Sequence, residues 1–165
     1  MIIPYLQHIL ILICIYAILI TSLNLALGYA GLLNLGHVAL FGIGAYTSAL
    51  LSLSNIPFPL SLLLAGIAAS IGGVFLIFVT KKLRGDYFVL ASLGFAFVVY
   101  SLLLNLTSFT RGPLGIANIP KPSFFVFAIN NNSSFLIFAA LLSALSIFLI
   151  HKISISGFGL LLSAM

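Results

Sequence analysis

Ile9-Leu-Ile-Leu-Ile-Cys-Ile-Tyr-Ala-Ile-Leu-Ile-Thr-Ser-Leu-Asn-Leu-Ala-Leu27 decides the fold class. Twelve of these residues are Ile or Leu and none is charged. At roughly −0.3 to −0.6 kcal/mol each near a helix centre, they favour membrane insertion by about 4 to 7 kcal/mol before polar penalties. The run is apolar on every face, so it reads as a helix and not as the alternating strand of an outer-membrane barrel. A helix also satisfies its own backbone hydrogen bonds in lipid. Working outward, residues 38–53, 59–80, 87–106 and 135–150 form four more charge-free apolar stretches. The reading is an all-α, polytopic integral membrane protein with about five transmembrane helices.

Composition agrees. The 165 residues carry six Lys or Arg and one acidic side chain, Asp86, so charged residues are 4% of the chain. A soluble domain carries about a quarter. Six dispersed cations make no nucleic-acid footprint. The one cysteine, Cys14, excludes an intrachain disulfide and a cysteine-based zinc site. Ala26-Leu27-Gly28 offers a cleavage site for a signal peptide. The start has no Lys or Arg and the apolar run is long, so it reads as a retained span.

Cations set the expected orientation. Lys81, Lys82 and Arg84 follow the third span and Lys152 the fifth, whereas Arg111 and Lys121 lie on the opposite side. The positive-inside rule puts the first group, with residue 165, in the cytoplasm and the N-terminus outside. This assignment requires residues 38–53 to cross.

Gly28-Tyr-Ala-Gly-Leu-Leu-Asn-Leu-Gly-His37 separates the first two runs. It is too apolar for an ordinary exposed loop and too rich in glycine for a good helix. Two readings stand: a tight glycine-capped turn, or non-helical backbone at membrane depth. The second survives only where protein buries it or it lines a cavity, and transporters place solute sites at such breaks. Asn24, Asn34 and His37 each need a partner there. Function and helix capping are the alternatives, the structural role being favoured for His37. The small-residue rows Gly44/Ser48, Ala45/Ala49 and Ala65/Ala69/Gly73 read as packing seams.

Residues 107–134 form a long connection. It holds the turn-rich Thr110–Pro120 stretch, a Phe124-Phe-Val-Phe-Ala-Ile129 run too short to span, and a polar Asn130–Ser134 turn. After the fifth span, Ser156-Gly157 reads as a turn before a short apolar helix that needs a partner surface.

Several blocks carry a family resemblance. Leu27-Gly-Tyr-Ala-Gly31, Leu35-Gly-His37 and Phe41-Gly-Ile-Gly-Ala-Tyr46 resemble the opening of branched-chain amino acid ABC transporter permeases of the LivH/LivM type. Leu83-Arg-Gly-Asp-Tyr-Phe88, Leu93-Gly-Phe95 and the Gly112-Pro113, Gly115-Ile116, Ile119-Pro120 pattern resemble the LivM branch. Residues 1–165 then look like a partial permease domain that ends within its cytoplasmic docking loop. Leu32, Phe97, Tyr100 and Arg111 depart from the family's usual pattern, which has Gln, Glu, Arg and a small residue there.

The resemblance implies a permease subunit of an importer for leucine, isoleucine and valine in a bacterial or archaeal inner membrane. It implies as partners a second permease subunit, two cytoplasmic ATPases that bind the ATP, and an extracytoplasmic amino-acid binding protein. No GxxxxGK[ST] loop occurs in this chain, and no cofactor or metal is expected in it. The candidate substrate path comprises Asn24, Gly28, Gly31, Asn34, Gly36, His37 and Tyr46. The candidate docking segment comprises Gly157, Phe158, Gly159, Leu160, Leu161 and Leu162.

Rival functions are weaker. Catalysis needs converging acid–base groups, and Asp86 is the single carboxylate side chain. A structural or haem-bearing subunit would need a histidine pair, and only His37 with His151 is conceivable. A permease for a sugar, urea or another small polar solute is the nearest alternative.

Overall fold

The computed structural model describes residues 2–31, 33–120, 122–124, 127–128 and 131–156. Its elements run α1 (Ile2–Ala30), α2 (His37–Leu53), α3 (Phe58–Thr80), α4 (Asp86–Asn105), α5 (Thr107–Thr110), a 3-10 turn (Gly112–Leu114), β1 (Ser123–Phe124), β2 (Phe127–Ala128) and α6 (Asn132–Ile155). The two short strands pair antiparallel, Ser123 with Ala128 and Phe124 with Phe127. The protein is an all-α polytopic membrane protein. Pro4–Gly28 of α1, with α3, α4 and α6, are each long and apolar enough to cross a bilayer. The 17-residue α2 is shorter. At 1.5 Å per residue it spans about 26 Å, against a hydrocarbon core of about 30 Å. Among the described residues, the five apolar helices are thus four of spanning length and one shorter.

Local chemistry places the boundaries. Asn55 takes a left-handed conformation (φ 59°) just beyond α2, and the Ile56 amide donates to the Leu51 carbonyl. Pro57 and Pro59 flank the first residue of α3, where a missing amide hydrogen costs nothing. Gly85 feeds α4 at φ 55°, ψ −131°, a conformation reserved for glycine, and Asp86 follows in the favourable first turn.

Little of the chain is buried against itself. Ile11, Ala39, Ala65, Leu76 and Val99 are buried, whereas Ile71, Val74 and Ile77 on α3 stand two-thirds exposed. Water would penalise that surface and lipid does not, so packing rests on close fit and hydrogen bonds. The buried hydroxyls of Ser61, Thr80, Ser143 and Ser154 each donate to a carbonyl one turn back in their own helix.

The chain divides into two compact units, one built on α1 and α6 and the other spanning Asn34–Ala128. In the first, Gln7 Nε2 donates to Ser133 Oγ at 2.9 Å near the starts of both helices. Near their ends, Asn24 and His151 line a common pocket. Matching start with start and end with end makes α1 and α6 parallel.

In the second unit, α3 packs antiparallel to α2. Gly44 faces Ala65 and Ala69, while Gly72 and Gly73 lie against Leu40. These contacts are the packing seam expected from the small residues, except that Ala45 points outward. Phe75 and Phe95 join α3 to α4 with ring centroids 6.2 Å apart.

Candidate functional site

Beyond α1, Gly31 stands at φ 63°, and from Leu33 the connection runs outside any helix to Gly36, the N-cap of α2. Asn34 organises its end. The Asn34 side-chain carbonyl accepts the Gly36 amide at 3.0 Å, and its backbone carbonyl accepts the His37 amide at 3.3 Å. Between them, the Leu35 amide donates to Ser92 Oγ at 3.1 Å, and the Ser92 hydroxyl donates onward to the Val89 carbonyl at 2.8 Å. Gly36 is buried. A β-carbon there would lie 3.1 Å from Leu76 Cδ2 and 3.2 Å from the Ser92 carbonyl oxygen, tighter than ordinary contact.

These neighbours fix its depth. Leu76 lies four residues before the end of α3, about 6 Å along the helix, and Ser92 lies six residues after Asp86, about 9 Å. Residues 34–36, half-buried to buried, thus pack against protein within the length of α3 and α4. That is the setting in which such backbone is tolerated in a bilayer. Helix α2 opens here, so the positive end of its dipole stands beside Leu76 and Ser92.

The structure gathers Asn34, Gly36 and His37 at this link, with His37 half-buried as the first residue of α2. Tyr46 stands farther along α2, in a cleft of about 480 Å³ between α2 and α4. Val38, Phe41, Gly42, Leu93, Ala96, Phe97, Tyr100 and Leu103 also line it, so the phenol groups of Tyr46 and Tyr100 are its polar side chains. Asn24, Gly28 and Gly31 belong to the first unit. The interruption is shorter than the glycine-rich stretch suggests, because α1 continues through Gly28 to Ala30. One helical glycine costs only about 1 kcal/mol, too little to end a helix of this length. Asn24 lines a smaller pocket of about 180 Å³ with Thr21, Leu25, Ile147, Ile150, His151 and Ser154. The docking candidates Gly157, Phe158, Gly159, Leu160, Leu161 and Leu162 lie outside the described residues.

Sequence reasoning passed over Ser92, which is fully buried. A hydroxyl inside an apolar run was the available signal, since such a group must find a partner in lipid. The turn-rich connection after α4 was read, but not the bonds that fold it. There the buried Thr110 hydroxyl donates to the Leu103 carbonyl at 2.6 Å and accepts the Gly112 amide at 3.1 Å.

The chain matches the family described as "Branched-chain amino acid transport system / permease component" over residues 5–165. It is similar to the high-affinity branched-chain amino acid transport system permease protein LivM of Escherichia coli (strain K12), 46% identical over 112 residues. That match covers 67% of this chain and 26% of the relative. The LivM protein of Salmonella typhimurium (strain LT2) gives the same figures, 46% identity over 112 residues, 67% and 26%. The chain thus spans about a quarter of the length of the curated relatives it matches. No solved structure matches it.

Proposed function

Because the chain belongs to the family of branched-chain amino acid transport permeases, we propose that it forms part of the membrane path of an ABC importer for leucine, isoleucine and valine. The observation that carries this reading is the 46% identity to LivM proteins over 112 residues. In this reading a second permease subunit completes the path, and two cytoplasmic ATPases bind and hydrolyse ATP. An extracytoplasmic binding protein delivers the amino acid. The chain moves its solute without transforming it. Gly157–Leu162 would begin the surface that receives an ATPase, on the resemblance of Ser156-Gly-Phe-Gly-Leu160 to the family's docking loop.

The physical chemistry of the solute suits the site. A branched-chain amino acid pairs a zwitterion with a hydrocarbon side chain. The positive dipole end at the α2 start is suited to a carboxylate, as at other broken transporter helices. The cleft beside Tyr46 offers apolar surface of the kind a Leu, Ile or Val side chain prefers.

Orientation follows the same reading. Lys81, Lys82 and Arg84 cluster between α3 and α4, and Lys152 sits in the last turn of α6. With these in the cytoplasm of a bacterial or archaeal cell, the N-terminus lies outside. The parallel pairing of α1 with α6 supports a consequence. If the end of α1 is inside and the start of α6 outside, an odd number of crossings separates them. Counting α3 and α4, the short α2 must be the third.

Radiolabelled leucine uptake tests the proposal in cells whose own branched-chain uptake is deleted and which express this chain with its neighbouring transport genes. Uptake should be ATP-dependent and abolished by excess unlabelled isoleucine or valine. Competition by ribose or urea instead, or uptake unchanged when this chain is removed, would contradict it.

A further inference from the structure

We infer that Ser92 is a positioning residue for the solute path, acting through the Leu35 amide to hold the link into α2 at its depth in the membrane. The inference rests on the transport reading above.

Three observations converge on one point. Ser92 is fully buried in α4, so its hydroxyl has no water to exchange with. It already donates to its own helix at Val89, as serines in apolar helices commonly do. Its oxygen then retains acceptor capacity, and the Leu35 amide, 57 residues away in sequence, takes it at 3.1 Å. One side chain thereby joins the irregular backbone of the link to the frame of a full-length span.

The neighbours leave the link few alternatives. Asn34 folds its side-chain carbonyl over the Gly36 amide at 3.0 Å, which closes the turn on the far side of Leu35. Gly36 then nests against Leu76 and the Ser92 carbonyl, with no room for a β-carbon at ordinary contact distance. Ser92 therefore touches the link twice, by its hydroxyl at Leu35 and by its carbonyl at Gly36. A shift of α4 along its axis would carry the start of α2 with it, and Asn34 and His37 with that start. Losing the Leu35 bond leaves a backbone donor unpaired in a dry setting, so the link would move to recover a partner.

The test compares wild type, Ser92→Ala and Ser92→Cys in the full chain, using two readouts. In lipid nanodiscs, amide hydrogen exchange at Leu35 should accelerate by about tenfold in Ser92→Ala, the effect of one lost hydrogen bond. It should accelerate less in Ser92→Cys, whose sulfur is a weaker acceptor. Exchange across residues 62–72 of α3 should not change. In leucine uptake by the assembled transporter, Ser92→Ala should raise KM several-fold while membrane abundance stays at the wild-type level, with partial recovery in Ser92→Cys.

Unchanged exchange at Leu35 would overturn the inference, as would faster exchange with an unchanged KM. Should Ser92→Ala fail to accumulate in membranes, Ser92→Cys is read against wild type with the same signs. If the wild-type transporter moves no branched-chain amino acid, the transport reading has failed and the positioning role fails with it. Exchange would still report separately whether the Ser92 hydroxyl holds the link.

Discussion

At the scale of single residues, backbone conformation explains two positions in the connection after α4. Gly112 has φ 57°, and a β-carbon there would lie 2.7 Å from the Leu104 carbonyl oxygen. Backbone cannot retreat as a flexible side chain can, so Gly112→Ala should destabilise the protein by about 2 to 4 kcal/mol, from overpacking and left-handed strain together. Its neighbour Arg111 also takes a left-handed conformation, at φ 58°, with its side chain exposed. Arg111→Gly should stabilise the protein by about 1 kcal/mol. Thermal unfolding in detergent checks both signs. Destabilisation by Arg111→Gly would show that the arginine contributes more through contacts than it loses in strain. Sequence gave notice of these glycines as turn formers, but not of the Thr110 bonds or the approach of Leu104, which exist only after the chain folds back.

At the scale of elements, the spans were legible because an uncharged apolar run has one stable form in lipid. The link between α1 and α2 was legible in part. Its glycine density announced an interruption, yet its α2 end was set by tertiary contacts. α1 runs on through Gly28 to Ala30, and the position of Gly36 is set by Leu76 and Ser92, far away in sequence. Tyr46 belonged to a recognisable block, but nothing in that block announced a cleft shared with Phe97 and Tyr100. Asn34 is where sequence and structure meet most closely. Its side chain closes the turn that opens α2, at a bond worth about 1 kcal/mol. Asn34→Ala should cut leucine uptake several-fold, and His37→Ala should do the same, each with membrane insertion intact. Wild-type uptake in both would remove the link from the path.

At the scale of the whole molecule, many large apolar side chains among the described residues are exposed, and lipid is the solvent that makes this stable. The chain belongs to a permease family, and the same outward surface is available to the partner subunits proposed above. The central claim is topological. In the orientation proposed above, three crossings lie between α1 and α6, one of them the 17-residue α2.

Thiol mapping tests that claim directly. In a Cys14→Ser background, single cysteines at Pro4, Ser54, Arg84 and Lys152 are exposed to a membrane-impermeant maleimide in intact spheroplasts, then after permeabilisation. Pro4→Cys and Ser54→Cys should label in intact cells, and Arg84→Cys and Lys152→Cys only once the membrane is opened. Labelling of Pro4→Cys together with Arg84→Cys, with Ser54→Cys protected, would mean that α2 turns back without crossing, and the account would be wrong.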